Sequence, residues 1–261
     1  MKKAIITTGR KEHEASRLLA EKIAAELNIP LVERKKRSAD RLKKEYAADF
    51  ILVAKDGMLR LLTPTGELFF HPNMAHLRIK NLRKGLGDHM VEAMQLKEGM
   101  TVLDCTLGLG ADAIVASFAA GDTGQVTGVE VNPYLAAVIR HGCANFTADN
   151  QSVCAAMRRV KVESADYLDY LKTRPDKSFD IVYFDPMFRH PLEKSASLAP
   201  LRGAADHRPV SPEAIAEARR VAKKRIVFKE NSRSREFQRL GMDYVLGGKY
   251  SAVHYGVIEL E

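Results

Sequence analysis

The sequence predicts an α/β fold: a parallel, doubly wound sheet preceded by a small α+β domain. Two observations carry this. After residue 88, apolar runs of strand length alternate with segments of helical period, the rhythm of successive βαβ units. Before residue 72 the rhythm differs. One helical segment is followed by "DFILVAKDGMLRLLTPTGELFF" (49–70), whose apolar runs are broken by turn signals at "KDG" and "TPTGE", as in a meander of strands. The expected domains are residues 1–72 and 73–261, joined through a polar, glycine-containing connector, "HPNMAHLRIKNLRKGLGD" (71–88).

In chain order, "KKAIITT" (2–8) reads as a strand, and residues 12–27 as a helix with Leu18, Leu19, Ile23 and Leu27 at helical spacing. "IPLVERK" (29–35) reads as a further strand. In the second domain, helices are expected over 88–97, 109–120, 133–148, 166–172, 211–224 and 235–241. The helix at 133 starts on Pro133, a favoured position, and the helix at 212 has Ser211 as its cap. Strands are expected at 100–105, 124–131, 158–163, 179–185, 225–230 and 253–260. Ligands on such a sheet sit at the carboxyl ends of the strands, so the residues ending each strand are the candidates for a site.

Composition narrows the function classes. With 46% hydrophobic and 28% charged residues in a chain of 261, a sizeable core is expected and global disorder is not. No apolar run approaches the ~20 residues that span a bilayer. The apolar run near the start is too short for a signal peptide, so a cytoplasmic protein without a membrane partner is expected. Cys105, Cys143 and Cys154 are odd in number and lack CxxC spacing, which argues against a disulfide framework or structural zinc. The histidines form no ligand cluster, so no metal is expected. The net charge of +8 is concentrated: residues 1–100 hold 20 Lys+Arg against 13 Asp+Glu, and residues 101–261 hold 21 against 20. That asymmetry points to a polyanionic partner, most simply nucleic acid, against the plain alternative of a solvated surface.

Four strand ends carry the chemistry. "VLDCTLGLGADA" (102–113) ends a strand at Asp104 and turns through Gly108 and Gly110 into a helix, a turn that can cradle a nucleotide. It equally fits a tight βα turn without ligand. Gly108, Gly110 and Ala113 also match a dinucleotide fingerprint, so a nicotinamide-dependent oxidoreductase stays open at this point. Glu130 ends the second strand, where a carboxylate can accept from ribose hydroxyls. Asp166 follows the third, as an acceptor for an adenine amine or as the cap of the next helix. The fourth ends in "FDPMF" (184–188). An aniline-like amine is a poor nucleophile because its lone pair is spread into the ring. Asp185 and the Pro186 carbonyl can accept its two N–H bonds, and Phe188 can stack on the base.

Together these ends resemble a class I S-adenosylmethionine-dependent methyltransferase. "MAHLRIKNLRKG" (74–85), "LDCTLGLGADA", "YFDPMF" and "EKSA" (193–196) resemble the bacterial 16S ribosomal RNA guanine-N2 methyltransferase family, over roughly residues 72–230. The resemblance implies a Rossmann-like, seven-stranded methyltransferase sheet and S-adenosylmethionine as cofactor. It implies cofactor contacts at Ala111, Asp112, Glu130, Val131, Ala165, Asp166 and Asp185; the strand end and turn add Asp104, Thr106, Gly108 and Gly110 as candidate cofactor contacts, and Asp185, Pro186 and Phe188 are the expected catalytic residues. RNA, and small-subunit ribosomal RNA in particular, is the implied partner. Residues 189–210, with Arg189, His190, Lys194, Arg202, His207 and Arg208, are expected to form a long substrate-recognition loop. Lys229 is expected to be salt-bridged or solvent-facing. The rival functions are methylation of a protein amide or small amine, the oxidoreductase, and a non-catalytic RNA-binding relative.

Overall fold

Eleven strands form two separate sheets in the computed structural model, which describes residues 3–10, 13–186 and 199–260. The described chain divides into two units. One comprises residues up to 71, together with 132–147 and 199–205; the other comprises 72–131, 148–186 and 206–260.

The first unit holds a four-stranded sheet in the order β1 (Ala4–Thr8), β2 (Phe50–Lys55), β3 (Met58–Thr63), β4 (Gly66–Phe69). β1 lies parallel to β2, and β2, β3 and β4 form the antiparallel meander that the turn signals predict. β2 is apolar on successive residues because both its faces are covered. Ile51 and Val53 pack with Ile5, Val32 and Leu42 on one face. On the other, Phe50 meets Tyr134 of the helix Pro133–Asn145, ring centroids 5.5 Å apart. That helix is apolar almost all round. Gly142 lets it approach Phe70 so closely that a Cβ would fall 2.1 Å from the Phe70 ring.

The second unit is a seven-stranded sheet in the order β10 (Tyr244–Leu246), β11 (Val253–Glu259), β9 (Ala222–Asn231), β8 (Phe179–Phe184), β5 (Thr101–Asp104), β6 (Gln125–Glu130), β7 (Val160–Ser164). Neighbours are parallel from β9 to β7, and β11 runs antiparallel to both β9 and β10. Leu103, Val182, Phe184, Ile226 and Phe228 pack on one face with Ala214 and Ala218 of the helix Pro212–Val221.

Several expectations are corrected. The connector at 71–88 contains a helix, Asn73–Arg83, which buries Ala75 and Ile79 one turn apart. "IPLVERK" is not a strand: only Leu31 bridges to Ile6, and Lys35 and Lys36 turn the chain with φ of 41° and 61°. Two helices were not anticipated, Ala39–Tyr46 and Gln151–Arg159. The expected loop at 189–210 carries a helix at Ala199–Ala204. The seventh strand of the large sheet is Tyr244–Leu246, which the sequence had not located. No helix among the described residues is long and apolar enough to cross a membrane.

Candidate active site

From β5 the strand order runs outward through β6 and β7, and from β8 outward through β9. The order therefore reverses between β5 and β8, the place where open α/β sheets bind ligands. The two strands are stitched together there. Cys105 N–H donates to the Tyr183 carbonyl at 2.9 Å, and Asp185 N–H donates to Thr106 Oγ1 at 2.5 Å. Asp104, Thr106 and Asp185 thus meet across one strand boundary.

The glycine turn follows from Asp104. Its Oδ1 accepts from Thr106 N–H at 3.0 Å, and Gly110 N–H closes the turn on the Leu107 carbonyl at 2.8 Å. Gly108 and Gly110 have φ of 51° and 78°, left-handed conformations that favour glycine. Gly110 then begins the helix Ala111–Ala119. Across the turn, Glu130 at the end of β6 accepts from Gly108 N–H at 3.1 Å, so one carboxylate both closes the turn and borders it. Val131 beside it is exposed and Glu130 is buried.

A charged network lies on the β8 side. Lys229 on β9 donates to Asp112 Oδ2 at 2.9 Å and to Asp185 Oδ2 at 2.7 Å. Tyr183 Oη also donates to Asp112 Oδ2, at 2.8 Å, and Arg78 pairs with Asp112 and with Asp88. Burial works against the Asp112 charge. The Lys229 and Arg78 charges and the Lys229 and Tyr183 hydrogen bonds outweigh it and hold the carboxyl well below the usual range. Burial likewise opposes the Lys229 charge, and Asp112 and Asp185 outweigh it, so the ammonium stays protonated. Asp185 is raised to about 7, by burial first and by the Asp112 charge, against the opposing pull of Lys229. Asp104 is 2% exposed, and burial pushes it up to about 8 despite its Thr106 bond.

The remaining predicted residues divide. Ala165 is tied to the end of β6 through its N–H, which donates to the Glu130 carbonyl at 3.1 Å. Asp166 caps the helix Tyr167–Lys172, with Oδ1 accepting from Leu168 and Asp169 N–H. Its Oδ2 accepts from Arg208 at 2.5 Å, so both oxygens have protein partners. Pro186 is half-buried after β8; Phe188 and Lys194 lie outside the described residues. Arg202 sits in the helix Ala199–Ala204, and Arg208 also pairs with Asp206. Arg78 and Tyr183 were not singled out from sequence. Lys229 was, and it is salt-bridged. The one signal for Tyr183 was its place two residues before Asp185. Among the described residues no group of His, Cys, Asp and Glu is arranged to hold a metal ion.

The donor set fits a cationic, nucleoside-bearing cofactor. Four carboxyls, Asp88, Asp104, Asp112 and Asp185, face two cations, Arg78 and Lys229. The excess negative charge, with a proton held on Asp104, suits a sulfonium. Glu130 at the next strand end suits a ribose diol.

Comparison with known proteins agrees. A family model described as "Putative SAM-dependent methyltransferase" matches residues 38–251. The chain is 40% identical to the "Uncharacterized protein YpiP" of Bacillus subtilis over 98% of this chain and 99% of that one. It is 31% identical to a "Ribosomal RNA small subunit methyltransferase J" of Thioalkalivibrio sulfidiphilus over 82% of this chain and 83% of that one. The corresponding Coxiella burnetii protein is 29% identical over 89% of each. The crystal structure of a SAM-dependent methyltransferase from Neisseria gonorrhoeae shares the fold, with a TM-score of 0.65 at 20% identity, covering 98% of this chain and 95% of that one.

Proposed function

Because the chain belongs to the S-adenosylmethionine-dependent methyltransferase family, we propose that its acceptor is an exocyclic amine of an RNA base, guanine N2 in small-subunit ribosomal RNA. Bound S-adenosylmethionine supplies a methyl carbon made electrophilic by the sulfonium. The observation that carries the acceptor assignment is the position of Asp185: at the switch point, bonded through its N–H to Thr106 of the cofactor turn, and followed by Pro186. The relatives named for ribosomal RNA small-subunit methylation support the substrate class. So does the basic first hundred residues.

In this proposal Glu130 and the turn from Asp104 to Asp112 hold the cofactor, with Ala111 and Asp112 contributing backbone groups because the Asp112 carboxylate is already bound. Asp166 would take the adenine amine with an oxygen given up by Arg208. Asp185 and the Pro186 carbonyl accept the two N–H bonds of the target amine and aim its lone pair. No strong base is needed before attack, because the amine proton becomes acidic only as the new C–N bond forms. Asp185, raised to about 7, is matched to take that proton at neutral pH. Most of the acceleration comes from holding nitrogen, carbon and sulfur in line.

The test is transfer of tritiated methyl groups from S-adenosylmethionine to ribosomal RNA and subunits isolated from cells lacking this gene. Label in RNA that disappears in Asp185→Ala, with cofactor binding retained, is expected. Near-normal turnover in that variant would refute the role of Asp185, and absence of label in every RNA would refute the substrate class.

A further inference from the structure

We propose that Lys229 is the positioning residue of the amine site: its ammonium, shared between Asp112 and Asp185, fixes the Asp185 carboxyl beside the cofactor turn and favours its charged form. The proposal rests on the assignment of Asp185 as amine acceptor.

Lys229 is carried by a strand, not a loop. β9 is flanked by β8, with Phe228 opposite Phe184, and by β11, with Lys229 opposite Tyr255. The side chain is 19% exposed and its ammonium touches two carboxylates from two other elements. Asp112 belongs to the first turn of the helix that follows the cofactor turn, and Asp185 directly follows β8. One cation therefore spans the two groups whose alignment in-line transfer requires, where a misplacement of about 1 Å can cost ~100-fold in rate. Both of its bonds go to Oδ2 atoms, so Asp185 Oδ1 keeps its lone pairs for an amine N–H.

The surrounding charges make this cation necessary. Burial and the charge of Asp112, from the helix that follows the turn, raise the affinity of Asp185 for a proton; Asp104 at the end of β5 holds its own proton. The phenols of Tyr183 on β8 and Tyr255 on β11 stay neutral. Arg78, from the helix Asn73–Arg83, is spent on Asp112 and Asp88. Lys229 alone among the described residues brings a positive charge into contact with Asp185. Without it Asp185 keeps its proton to higher pH and offers less carboxylate at neutral pH. Lys229 itself is no general base, because two carboxylates hold its proton in place.

The test separates this role from the identity of the substrate. Aspartate carboxyl carbons are labelled with carbon-13 and followed by NMR across pH in RNA-free protein, with Asp185→Asn assigning the signal. In Lys229→Met the Asp185 midpoint should rise by at least about one pH unit, and Lys229→Arg should restore much of it. If Lys229→Met does not fold, Lys229→Gln keeps a donor and removes only the charge. With RNA as substrate, the acid limb of kcat should move up by the same amount while the KM for S-adenosylmethionine changes less than about threefold. An unchanged midpoint in the uncharged variants overturns the proposal. A shifted midpoint in a protein that methylates no RNA upholds the hold of Lys229 on Asp185 and overturns the RNA assignment instead.

Discussion

Replacing Asp104 with asparagine should stabilise the ligand-free protein, and increasingly so as pH rises. Asp104 is buried at the end of β5, and its Oδ1 accepts a single backbone N–H, which the asparagine oxygen can keep. Its carboxyl is raised from an ordinary 3.8 to about 8, chiefly by burial. A carboxyl with a raised native pKa binds its proton more tightly folded than unfolded. Stability is therefore lost as pH climbs from the unfolded value to the native one, and the loss is complete above about 8. Each pH unit in that window is worth about 1.4 kcal/mol. Between about pH 5.5 and pH 8 the wild type should lose about 3 kcal/mol that Asp104→Asn does not. For a protein of this size that amounts to a relative gain in Tm of about 6–12 °C. Thermal unfolding of both proteins across this range, without cofactor, measures it. A difference in Tm that stays constant with pH would refute the assignment of a protonated Asp104. A difference that shrinks as pH rises would refute its sign.

Other consequences are smaller. Tyr183→Phe removes the hydroxyl bond to the ionised Asp112 and should cost about 1.5–3 kcal/mol in chemical denaturation; a loss below about 0.5 kcal/mol would mean that Lys229 and Arg78 suffice. Gly128→Ala should disturb the glycine turn proposed to hold the cofactor, because a Cβ there would fall 2.4 Å from Leu107 Cδ1. It should cost about 1–3 kcal/mol of stability and weaken S-adenosylmethionine binding by calorimetry, and unchanged affinity would show that Leu107 moves without its backbone.

The strand ends were legible because each is a short apolar run closed by an acidic residue, and the meander because its turn residues are explicit. What escaped has identifiable causes. The helix Asn73–Arg83 exposes Met74 and Leu77 while burying Ala75 and Ile79, so apolar residues fall on two faces and the period blurs. The helix Ala39–Tyr46 was hidden in a basic run, although Ser38 caps it and Leu42 is its single buried contact. "IPLVERK" has strand composition, and Val32 N–H does bond to the Ile6 carbonyl, but the pairing stops at one bridge. Glu130, Asp166 and Asp185 are candidates that position alone singles out. The Arg78–Asp112–Lys229 network was not legible, since its members are 34 and 117 residues apart and one lies in a presumed connector.

The apolar helix Pro133–Asn145 has a consequence for synthesis. It leaves the chain between β6 and β7 of the large sheet, yet it packs on Phe50 and Phe70 of the small one. A ribosome that has released the first 72 residues has released strands whose covering helix is still some 60 residues downstream in the message's unread part. The amino-terminal sheet must wait, one face bare, while β5 and β6 emerge, and a fragment cut at residue 72 would keep that face bare for good.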